Sequence, residues 1–502
     1  MTHPLSDRIN SLPTSQTLAM AAKARELRAE GKDIIGLSLG EPDFNTPDFI
    51  KDAAIEAINE NYNTYTPVDG YVELKEAICT KFKRDNGLDY KPNQIVVSTG
   101  AKQSIANIAQ VLLNPGDEIL LPAPYWVSYS AIAILCEATY VEIPSSIDND
   151  FKITPAQLEA AITPKTKMIF FNSPNNPSGT IYSESEYRAL AAVLEKYPKI
   201  FILSDEIYEH INYDSKPFSF AAIESMYDRT ITVNGLAKAF AMTGWRIGYI
   251  GAPEWIAKAC TKMQGQITSG TNCIAQRAAI TAVLAPVSKI QFMVDEFKTR
   301  RDIIIGLLRE IDGFKVNVPE GAFYVFPDIS AYFGKSIDGI KIENASDFSL
   351  FILEKANVAT VTGDAFGAPN CIRISYAASE LQIREAIKAE IDEHWAITQN
   401  AEEVVANLYE ELNDVYAPYI HEEITASEVT ENIRFIDAIS QSLRQSMQRY
   451  PDLVIMGQDI AEYGGAFKIT DGFVSEFGKE RVRNTPICES AVVSAGMGLS
   501  IN

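Results

Sequence analysis

Five short runs of apolar residues recur through the first half of the chain, and stretches with helical patterning separate them. Apolar and polar residues do not alternate within these runs, so both faces of the predicted strands must be covered. Strands of this kind belong to a largely parallel sheet that has helices on both sides. The predicted strands are Ile95–Ser98, Glu118–Leu121, Met168–Phe171, Ile200–Ser204 and Thr230–Val233.

Changes in patterning divide the chain into five predicted parts. From His394 onward the chain carries 17 acidic and 7 basic residues, so nearly half of the net charge of -22 lies in this last segment. The predicted parts are an N-terminal arm that also contributes to a small domain (1–50), a large α/β domain (51–290), a small α+β domain (291–393), an acidic helical linker (394–432) and an incomplete C-terminal α/β fragment (433–502).

Composition argues against several classes of protein. The net charge of -22 and the isoelectric point near 4.7 argue against binding to nucleic acids or acidic membranes. No run of about 18 apolar residues is present to span a membrane, and the N-terminus M-T-H-P-L-S-D-R lacks the apolar core of a signal peptide. The six cysteines are scattered and the four histidines form no ligand pair, which predicts a cytoplasmic protein without a metal site.

One lysine stands in an unusual chemical setting. Lys238 lies among small and apolar residues in V-N-G-L-A-K-A-F-A-M-T-G-W-R-I-G-Y, which runs from Val233 to Tyr249. Burial lowers the pKa of an ammonium, and a neutral lysine forms Schiff bases with carbonyl compounds. Arg246 lies in the same apolar run and needs an anionic partner. The two residues together indicate pyridoxal 5'-phosphate, although either alone would also fit a salt-bridged cation at the edge of a core.

Polar loops follow three of the predicted strands, at the edge where ligands bind in open α/β folds. S-T-G-A-K-Q-S (Ser98–Ser104) joins a strand to a helix, and the N–H groups at a helix N-terminus bind phosphate. N-S-P-N-N-P-S-G (Asn172–Gly179) and S-D-E-I-Y-E-H (Ser204–His210) follow two further strands. Trp126, in P-A-P-Y-W, offers an indole face for a flat cofactor, or simply belongs to the core.

With G-E-P-D-F and Y-T-P-V-D-G, these motifs stand in the order typical of fold-type I aminotransferases that depend on pyridoxal 5'-phosphate. Residues 5–393 resemble the branch that contains bacterial aspartate aminotransferases. The resemblance implies an α/β fold with a large, mostly parallel sheet domain and a small α+β domain. It also implies ping-pong transamination between a dicarboxylic amino acid, most simply aspartate, and 2-oxoglutarate. An aminotransferase of aromatic or other amino acids, or a lyase with the same cofactor, stays open.

The resemblance assigns roles at the cofactor ring. Lys238 would form the Schiff base and then act as the general base and acid of the proton transfer. Asp205 would pair with the pyridinium nitrogen and keep it protonated. Tyr208 and Asn176 would form hydrogen bonds with the ring oxygen, and Trp126 would stack on the ring face.

The phosphate and the subunit contact follow from the same resemblance. The backbone of Gly100, Ala101 and Lys102 would hold the phosphate together with the side chain of Arg246. Tyr65 would reach the phosphate of a neighbouring subunit, which implies a homodimer with shared sites.

The substrate would be bound by a further set of residues. Arg373, in C-I-R-I-S-Y-A, would hold the α-carboxylate in two parallel hydrogen bonds, and the backbone of Gly40 would contact the same group. Phe323 would line the pocket, beside Trp126 and Asn176. Lys102 would meet the distal carboxylate of a dicarboxylic substrate, although a lysine in its place is also compatible with a helix surface.

Two positions depart from the usual pattern of these enzymes. Ser178 replaces a threonine, and Gly235 stands where many relatives carry serine. We expect the missing hydroxyl at Gly235 to weaken retention of the cofactor.

The C-terminal part, residues 433–502, resembles the start of the β-subunit of thiamine-diphosphate 2-oxo acid dehydrogenases (the E1 component). The matching segments are V-I-M-G-Q-D-I-A-E-Y-G-G-A-F-K-I-T-D-G-F and F-G-K-E-R-V-R-N-T-P-I-C-E-S. The glutamate that matches Glu489 activates thiamine in that family. Here Gln458 replaces a usual glutamate and no G-D-G motif occurs, so we predict that the tail binds no thiamine diphosphate.

The change of character near Lys388–Asp392 predicts a join between two unrelated genes, and the sequence leaves open whether that join is natural or artificial. This join leaves open the hypothesis that the chain is not an enzyme. In that hypothesis the chain is an interaction protein whose tail docks on a 2-oxo acid dehydrogenase complex. The partners expected from the leading interpretation are instead small amino acids and 2-oxo acids.

Overall fold

The computed structural model of the protein describes residues 5–12, 16–337, 340–388, 435–450, 453, 455–457, 470 and 472–484. The chain forms two compact units, Met1–Val405 and Ala406–Asn502. The predicted linker 394–432 lies outside the described residues, as do Gln458 and Glu489. The division into five parts therefore stays a prediction, and so does the expectation that residues 433–502 do not bind thiamine diphosphate.

Twelve helices in the described part of the first unit have the following bounds. They are α1 (Asp7–Asn10), α2 (Gln16–Ala29), α3 (Asp48–Asn59), α4 (Val72–Lys81), α5 (Ala101–Leu112), α6 (Ser128–Leu135), α7 (Pro155–Ala161), α8 (Glu184–Leu194), α9 (Glu254–Ile267), α10 (Cys273–Leu284), α11 (Gln291–Glu310) and α12 (Ala345–Lys355).

The strands follow the chain in the same way. They are β1 (Ile35–Gly36), β2 (Ile95–Thr99), β3 (Glu118–Pro122), β4 (Thr139–Ile143), β5 (Thr166–Asn172), β6 (Phe201–Asp205), β7 (Thr230–Gly235), β8 (Ile247–Gly251), β9 (Tyr324–Val325), β10 (Ser336–Ile337), β11 (Ile340–Lys341), β12 (Val358–Ala359), β13 (Val361–Thr362), β14 (Ile372–Ser375), β15 (Ile455–Gly457) and β16 (Val482–Asn484).

A seven-stranded sheet forms the centre of the first unit, with the strand order β2-β8-β7-β6-β5-β3-β4. Neighbouring strands are parallel except at β8, which is antiparallel to both β2 and β7. The five predicted strands are present as β2, β3, β5, β6 and β7. The predicted α/β fold with a large, mostly parallel sheet is therefore confirmed.

Two strands of the sheet are missing from the sequence prediction. Strand β4 is an edge strand whose residues are largely exposed, so its sequence T-Y-V-E-I lacks an apolar run. Strand β8 has the sequence I-G-Y-I-G, and glycines weaken the pattern of a strand. Both glycines of β8 are required by packing: a Cβ on Gly248 would lie 2.1 Å from Ala101 N, and one on Gly251 would lie 2.4 Å from the ring of Tyr90.

Helices cover both faces of the sheet, which explains its unbroken apolar runs. Alternate residues of one strand enter different cores: Val96 packs with α5, α6 and α9, whereas Val97 packs with α4 and α10 on the other face. Likewise Phe170 belongs to the first of these cores, and Phe171 packs against α8. This double burial holds the strand ends, and the polar loops that follow them, in fixed positions.

The small domain contains α11, which extends the predicted helix Phe292–Leu308 by a residue or two at each end. Strands β13, β14 and β9 form an antiparallel sheet beside it. The N-terminal arm joins this domain because β1 pairs in parallel with β12, with Ile35 opposite Val358.

The second unit is small in its described part. A helix, Phe435–Arg449, and the parallel pair β15–β16 enclose an apolar cluster around Met447, Phe473 and Val482. Within the described ranges of the whole chain, no helix has both the length and the apolar character needed to cross a membrane.

A buried lysine stabilises the region behind β6. Lys81 is 1% exposed, forms an ion pair with Glu209, and donates a hydrogen bond of 2.8 Å to Asn86 Oδ1. Burial alone would raise the pKa of Glu209, but Lys81 and His210 hold it below its usual value. Asp85, Glu209 and His210 are close enough together to serve as metal ligands, but the ammonium of Lys81 already supplies a positive charge to this cluster.

Replacement of Lys81 by methionine is expected to destabilise the protein, because Glu209 would remain a buried carboxylate without its cation. The expected loss in the free energy of unfolding is about 3–5 kcal/mol, measured by urea-induced unfolding followed through tryptophan fluorescence. The matched control is Lys258→Met, which breaks the exposed pair with Glu254 and should cost no more than about 0.5 kcal/mol. Equal losses in the two variants would contradict a stabilising role for Lys81.

Candidate active site

A cleft of about 420 Å³ lies at the carboxyl ends of the parallel strands. Four cationic side chains and two carboxylates line it, so it favours an anionic ligand. Most of the predicted site residues are brought together here: Gly40, Ala101, Lys102, Trp126, Asn176, Asp205, Tyr208, Lys238, Arg246 and Arg373.

Lys238 follows β7 and lines the cleft. Its ammonium donates a hydrogen bond of 2.6 Å to Gly40 O, and it lies 5.6 Å from the centre of the Tyr208 ring. Burial, and then the charge of Arg373, lower the pKa of Lys238 to about 8, while Glu41 and Asp205 oppose the shift. A useful fraction of Lys238 is therefore uncharged near neutral pH, as a nucleophile requires.

Asp205 ends β6 and is 4% exposed. Its Oδ2 accepts a hydrogen bond of 2.7 Å from the phenol of Tyr129, and its Oδ1 accepts one of 3.2 Å from Ile207 N. Burial raises the pKa of Asp205 to about 6, against the lowering effects of these two hydrogen bonds and of Lys238. The carboxylate is therefore mostly ionised at neutral pH and lines the cleft as an acceptor.

Tyr208 follows Asp205 on the same turn and is 2% exposed. Its hydroxyl is hydrogen-bonded to the hydroxyl of Tyr324 at 2.8 Å. Burial, together with Tyr324, raises the pKa of Tyr208 well above its usual value, so its phenol stays protonated. Two phenols thus line the same wall of the cleft, and because one hydroxyl donates to the other, the pair has one O–H left to donate to a bound oxygen.

An anion site lies where α5 begins. Gly100 has φ +86°, and a Cβ there would lie 2.3 Å from Arg246 Nη2, so only glycine lets this guanidinium lie against the helix start. Arg246 itself has φ +57° and donates to Thr243 O at 2.9 Å. The first N–H groups of a helix have no partner within the helix, and with an adjacent arginine they form a phosphate site.

Arg373 lies on β14 and is 3% exposed. Its guanidinium donates hydrogen bonds to Ser38 O at 2.6 Å and to Asn176 Oδ1 at 3.0 Å. Its Cζ lies 4.7 Å from the ring centre of Tyr324. Its Nε is buried without a hydrogen-bond partner. A buried donor left unpaired is costly, so this guanidinium has bonding capacity left for a carboxylate.

Lys102 is on the first turn of α5, and its ammonium lies 4.9 Å from the ring centre of Trp126. Burial, followed by the charge of Arg246, lowers its pKa. A negative charge bound beside Lys102 would stabilise its ammonium and so offset the lowering of its pKa by burial and by Arg246.

Three predicted residues are placed differently from the rest. Gly100 adjoins the cleft through its contact with Arg246 rather than lining it. Phe323 is fully buried, 5.9 Å from the Lys238 ammonium, and its neighbour Tyr324 lines the cleft instead, because successive strand residues point to opposite faces. Tyr65 is 97% exposed and lies outside this cleft.

Other outcomes refine the expected roles. The carbonyl of Gly40 accepts from Lys238, and the N–H of Gly40 is the backbone group that can donate to a substrate carboxylate. A Cβ at Gly235 would lie 2.8 Å from Ile247 O, so a side chain at this position would require the backbone of β7 or β8 to shift. Ser178 donates to Asn175 Oδ1 at 2.9 Å and is hydrogen-bonded to Thr180, so it holds its loop together.

Sequence reasoning did not single out Tyr324, Glu41 or Tyr129 as parts of the site. Tyr324 follows Phe323 in G-A-F-Y-V-F, and the sequence did not show which of the two faces the cleft. Glu41 belongs to the G-E-P-D-F motif and is hydrogen-bonded to Thr243, across the mouth of the cleft. Tyr129 lies three residues after Trp126, in P-A-P-Y-W-V-S-Y, which continues the P-A-P-Y-W motif.

These residues fit pyridoxal 5'-phosphate. The close approach of Arg246 to Gly100 forms an anion cradle that any Cβ would fill. Lys238 supplies the amine for an aldehyde, and Asp205 supplies a buried carboxylate for a ring nitrogen. Trp126 supplies an aromatic face in the same cleft.

Comparison with known proteins gives the same class. Residues 32–389 match the family profile described as aminotransferase class I and II, and residues 431–502 match the transketolase pyrimidine binding domain. The chain belongs to the class I and II aminotransferase family, and it is an aminotransferase that depends on pyridoxal phosphate. The second match confirms the predicted likeness of the tail to the E1 β-subunit.

Several relatives are similar over the first unit. The aspartate/prephenate aminotransferase of Cereibacter sphaeroides is 48% identical over 385 residues, which are 76% of this chain and 96% of that protein. The bifunctional aspartate aminotransferase and glutamate/aspartate-prephenate aminotransferase of Petunia hybrida is 46% identical over 389 residues, or 76% and 81%. The crystal structure of the aspartate aminotransferase from Rhizobium meliloti superposes with a TM-score of 0.76 at 43% identity, covering 77% of this chain and 98% of that one.

We expect Lys238 to carry the cofactor. Borohydride reduction of the holoenzyme, followed by peptide mapping, should place the pyridoxyl group on Lys238. Because its pKa is lowered to about 8, the rate at which the apoprotein combines with pyridoxal phosphate should rise as the pH passes through that value. Lys238→Ala is the control and should leave no label, whereas a label on another lysine of the native protein would contradict the assignment.

Proposed function

We propose that the protein transfers the amino group of aspartate to 2-oxoglutarate, with both half-reactions at one site and therefore ping-pong kinetics. The observation that carries this proposal is the presence of Arg373 and Lys102 in one cleft. A dicarboxylic substrate has two carboxylates to neutralise in addition to the phosphate of the cofactor. Arg373 is suited to one and Lys102 to the other, which leaves Arg246 for the phosphate.

The proposed roles follow from the contacts of each group. When bound, pyridoxal phosphate supplies an electron sink that makes the α-proton of the amino acid acidic. Lys238 Nζ takes that proton as a base and returns it as an acid, which its lowered pKa permits in both directions. Asp205 holds a proton on the ring nitrogen, and Arg373 orients the α-carboxylate. Asn176 supports this orientation, because its side-chain oxygen accepts from Arg373.

Prephenate is a second candidate for the amino-group acceptor. It is named for the relatives from Cereibacter sphaeroides and Petunia hybrida. Prephenate is a 2-oxo acid with a second carboxylate, so it makes the same demand for two cations as 2-oxoglutarate. Half-reactions of the aminated enzyme with each keto acid, followed by the change in cofactor absorbance, would rank the two acceptors.

The other hypotheses have weaker support. A preference for aromatic or other neutral amino acids, or lyase activity, would leave Lys102 without a partner for its charge. An interaction protein that docks on a 2-oxo acid dehydrogenase complex would need no assembled cleft, and only the match of residues 431–502 favours it. A cytoplasmic location is supported by the five described cysteines, which are all free thiols.

Lys102→Ala is expected to impair aspartate selectively, because the distal carboxylate loses its cation. The expected fall in kcat/KM for aspartate corresponds to about 2–4 kcal/mol. The internal control is the same variant with an amino acid that has a neutral side chain, for which the fall should be small. An equal fall for all substrates would mean that Lys102 serves the phosphate or the fold.

We also propose a homodimer in which Tyr65 completes the site of the partner subunit. Its support is the 97% exposure of an aromatic side chain that lies outside the cleft of its own chain. A large exposed ring of this kind is expected at an interface.

Shared sites predict complementation between two defective proteins. Lys238→Ala and Tyr65→Ala should each be poorly active alone, whereas a mixture allowed to exchange subunits should regain activity, because some hybrid dimers contain one intact site. Subunit exchange is verified independently with a fluorescent label on each variant. Proven exchange without recovered activity would count against shared sites.

A further inference from the structure

A buried tyrosine joins two of the residues assigned to the cofactor ring. Tyr129 is on α6, is 1% exposed, and donates its hydrogen bond of 2.7 Å to Asp205 Oδ2. Its ring also makes perpendicular contacts with Trp126 and Phe170, with 5.5 Å and 5.4 Å between the ring centres. These ring contacts fix the direction of the phenol, so its O–H has a defined acceptor in the carboxylate.

In this hydrogen bond the tyrosine is the protonated partner and the carboxylate is the acceptor. Burial, followed by the charge of Asp205, raises the pKa of Tyr129 well above its usual value, so the phenol stays protonated and donates. In the other direction, the phenol opposes the rise that burial causes in the pKa of Asp205. A hydrogen bond from a neutral donor to a buried carboxylate stabilises the charged form.

We propose that Tyr129 is a positioning residue that keeps Asp205 ionised and so holds a proton on the ring nitrogen of the cofactor. The inference rests on the proposed pairing of Asp205 with that nitrogen. A carboxylate and a pyridine nitrogen that face each other share one proton between two bases. Because the phenol stabilises the charged carboxylate, it shifts this proton towards the nitrogen.

Few other groups could take over this task. Ile207 N–H donates to the other carboxylate oxygen of Asp205 at the longer distance of 3.2 Å. The charged ammonium of Lys238 also favours the charged form of Asp205. Because Lys238 must be neutral to react, this effect on Asp205 is absent when the lysine is reactive. Tyr208 is on the same turn, and its hydroxyl is hydrogen-bonded to Tyr324 instead.

The test is Tyr129→Phe, which removes one oxygen and keeps the ring contacts with Trp126 and Phe170. Full-length holoenzyme is loaded with pyridoxal phosphate labelled with nitrogen-15 in the ring, and the chemical shift of that nitrogen reports its protonation. We expect the shift to move towards the unprotonated value at neutral pH. We also expect kcat to fall by about tenfold with little change in KM, because the weaker electron sink affects the reaction step and not binding.

Two further variants make the result decisive. Tyr90→Phe removes a buried hydroxyl that is bonded to Thr232 Oγ1 at 3.1 Å, away from the cleft, and should leave the nitrogen signal and kcat unchanged. Asp205→Asn should move the signal fully to the unprotonated value. If Asp205→Asn moves the signal and Tyr129→Phe does not, the role of Tyr129 is overturned. If neither moves it, the pairing of Asp205 with the nitrogen fails first, and the inference fails with it.

Discussion

The ion pair between Lys81 and Glu209 supports the turn on which the active site depends. Asp205 and Tyr208 line the cleft, whereas Glu206 and Glu209, on the same turn, contact a polar cluster behind it. Asn86, at the end of a π-helical turn, donates to both of these glutamates. One short segment is thus held by charges on its rear side, and on the other side it presents Asp205 and Tyr208, which are predicted to contact the cofactor ring, to the cleft.

Glu206 and Glu209 are two buried carboxyl groups near the one ammonium of Lys81. Burial and the neighbouring Glu209 raise the pKa of Glu206 to about 8, although Ser219 and Ser204 donate hydrogen bonds to it. Glu206 therefore holds a proton at neutral pH while Glu209 stays charged beside Lys81. The buried ammonium of Lys81 is thus balanced by the one carboxylate of Glu209, and a second buried negative charge on Glu206 would have no cation to compensate it. The cleft differs from this balanced cluster, because its four cationic side chains outnumber its two carboxylates and an anionic ligand would compensate the difference.

The cations of the cleft serve two purposes at once. The charge of Arg373 contributes to the lowered pKa of Lys238, and Arg246 acts in the same direction. The same positive charges would attract a phosphate and the carboxylates of a substrate. The proposed reactivity of Lys238 and the proposed preference for dicarboxylic substrates would therefore have one physical origin, which is the burial of like charges in a small volume.

Much of this site could be predicted from sequence, because double burial leaves a clear pattern. Strands such as β5 and β6 are covered on both faces, and their carboxyl ends meet at one edge, so Asn176 and Asp205 were predictable neighbours. The prediction failed where the signal was local and ambiguous. Phe323 and Tyr324 are adjacent aromatic residues, and only the strand register decides which of them faces the cleft.

The sequence by itself determined the fold class and the family, and it predicted Lys238 as the Schiff-base lysine, because these depend on residue types and their order along the chain. The tertiary structure decided which distant groups meet. Lys238 contacts Gly40 across 198 residues, and Tyr129 contacts Asp205 across 76. It also decided that a side chain at Gly235 would require the backbone to shift, because a Cβ there would lie 2.8 Å from Ile247 O. Hydrogen bonds, burial and pKa values depend on distance in space, and spacing along the chain does not fix that distance.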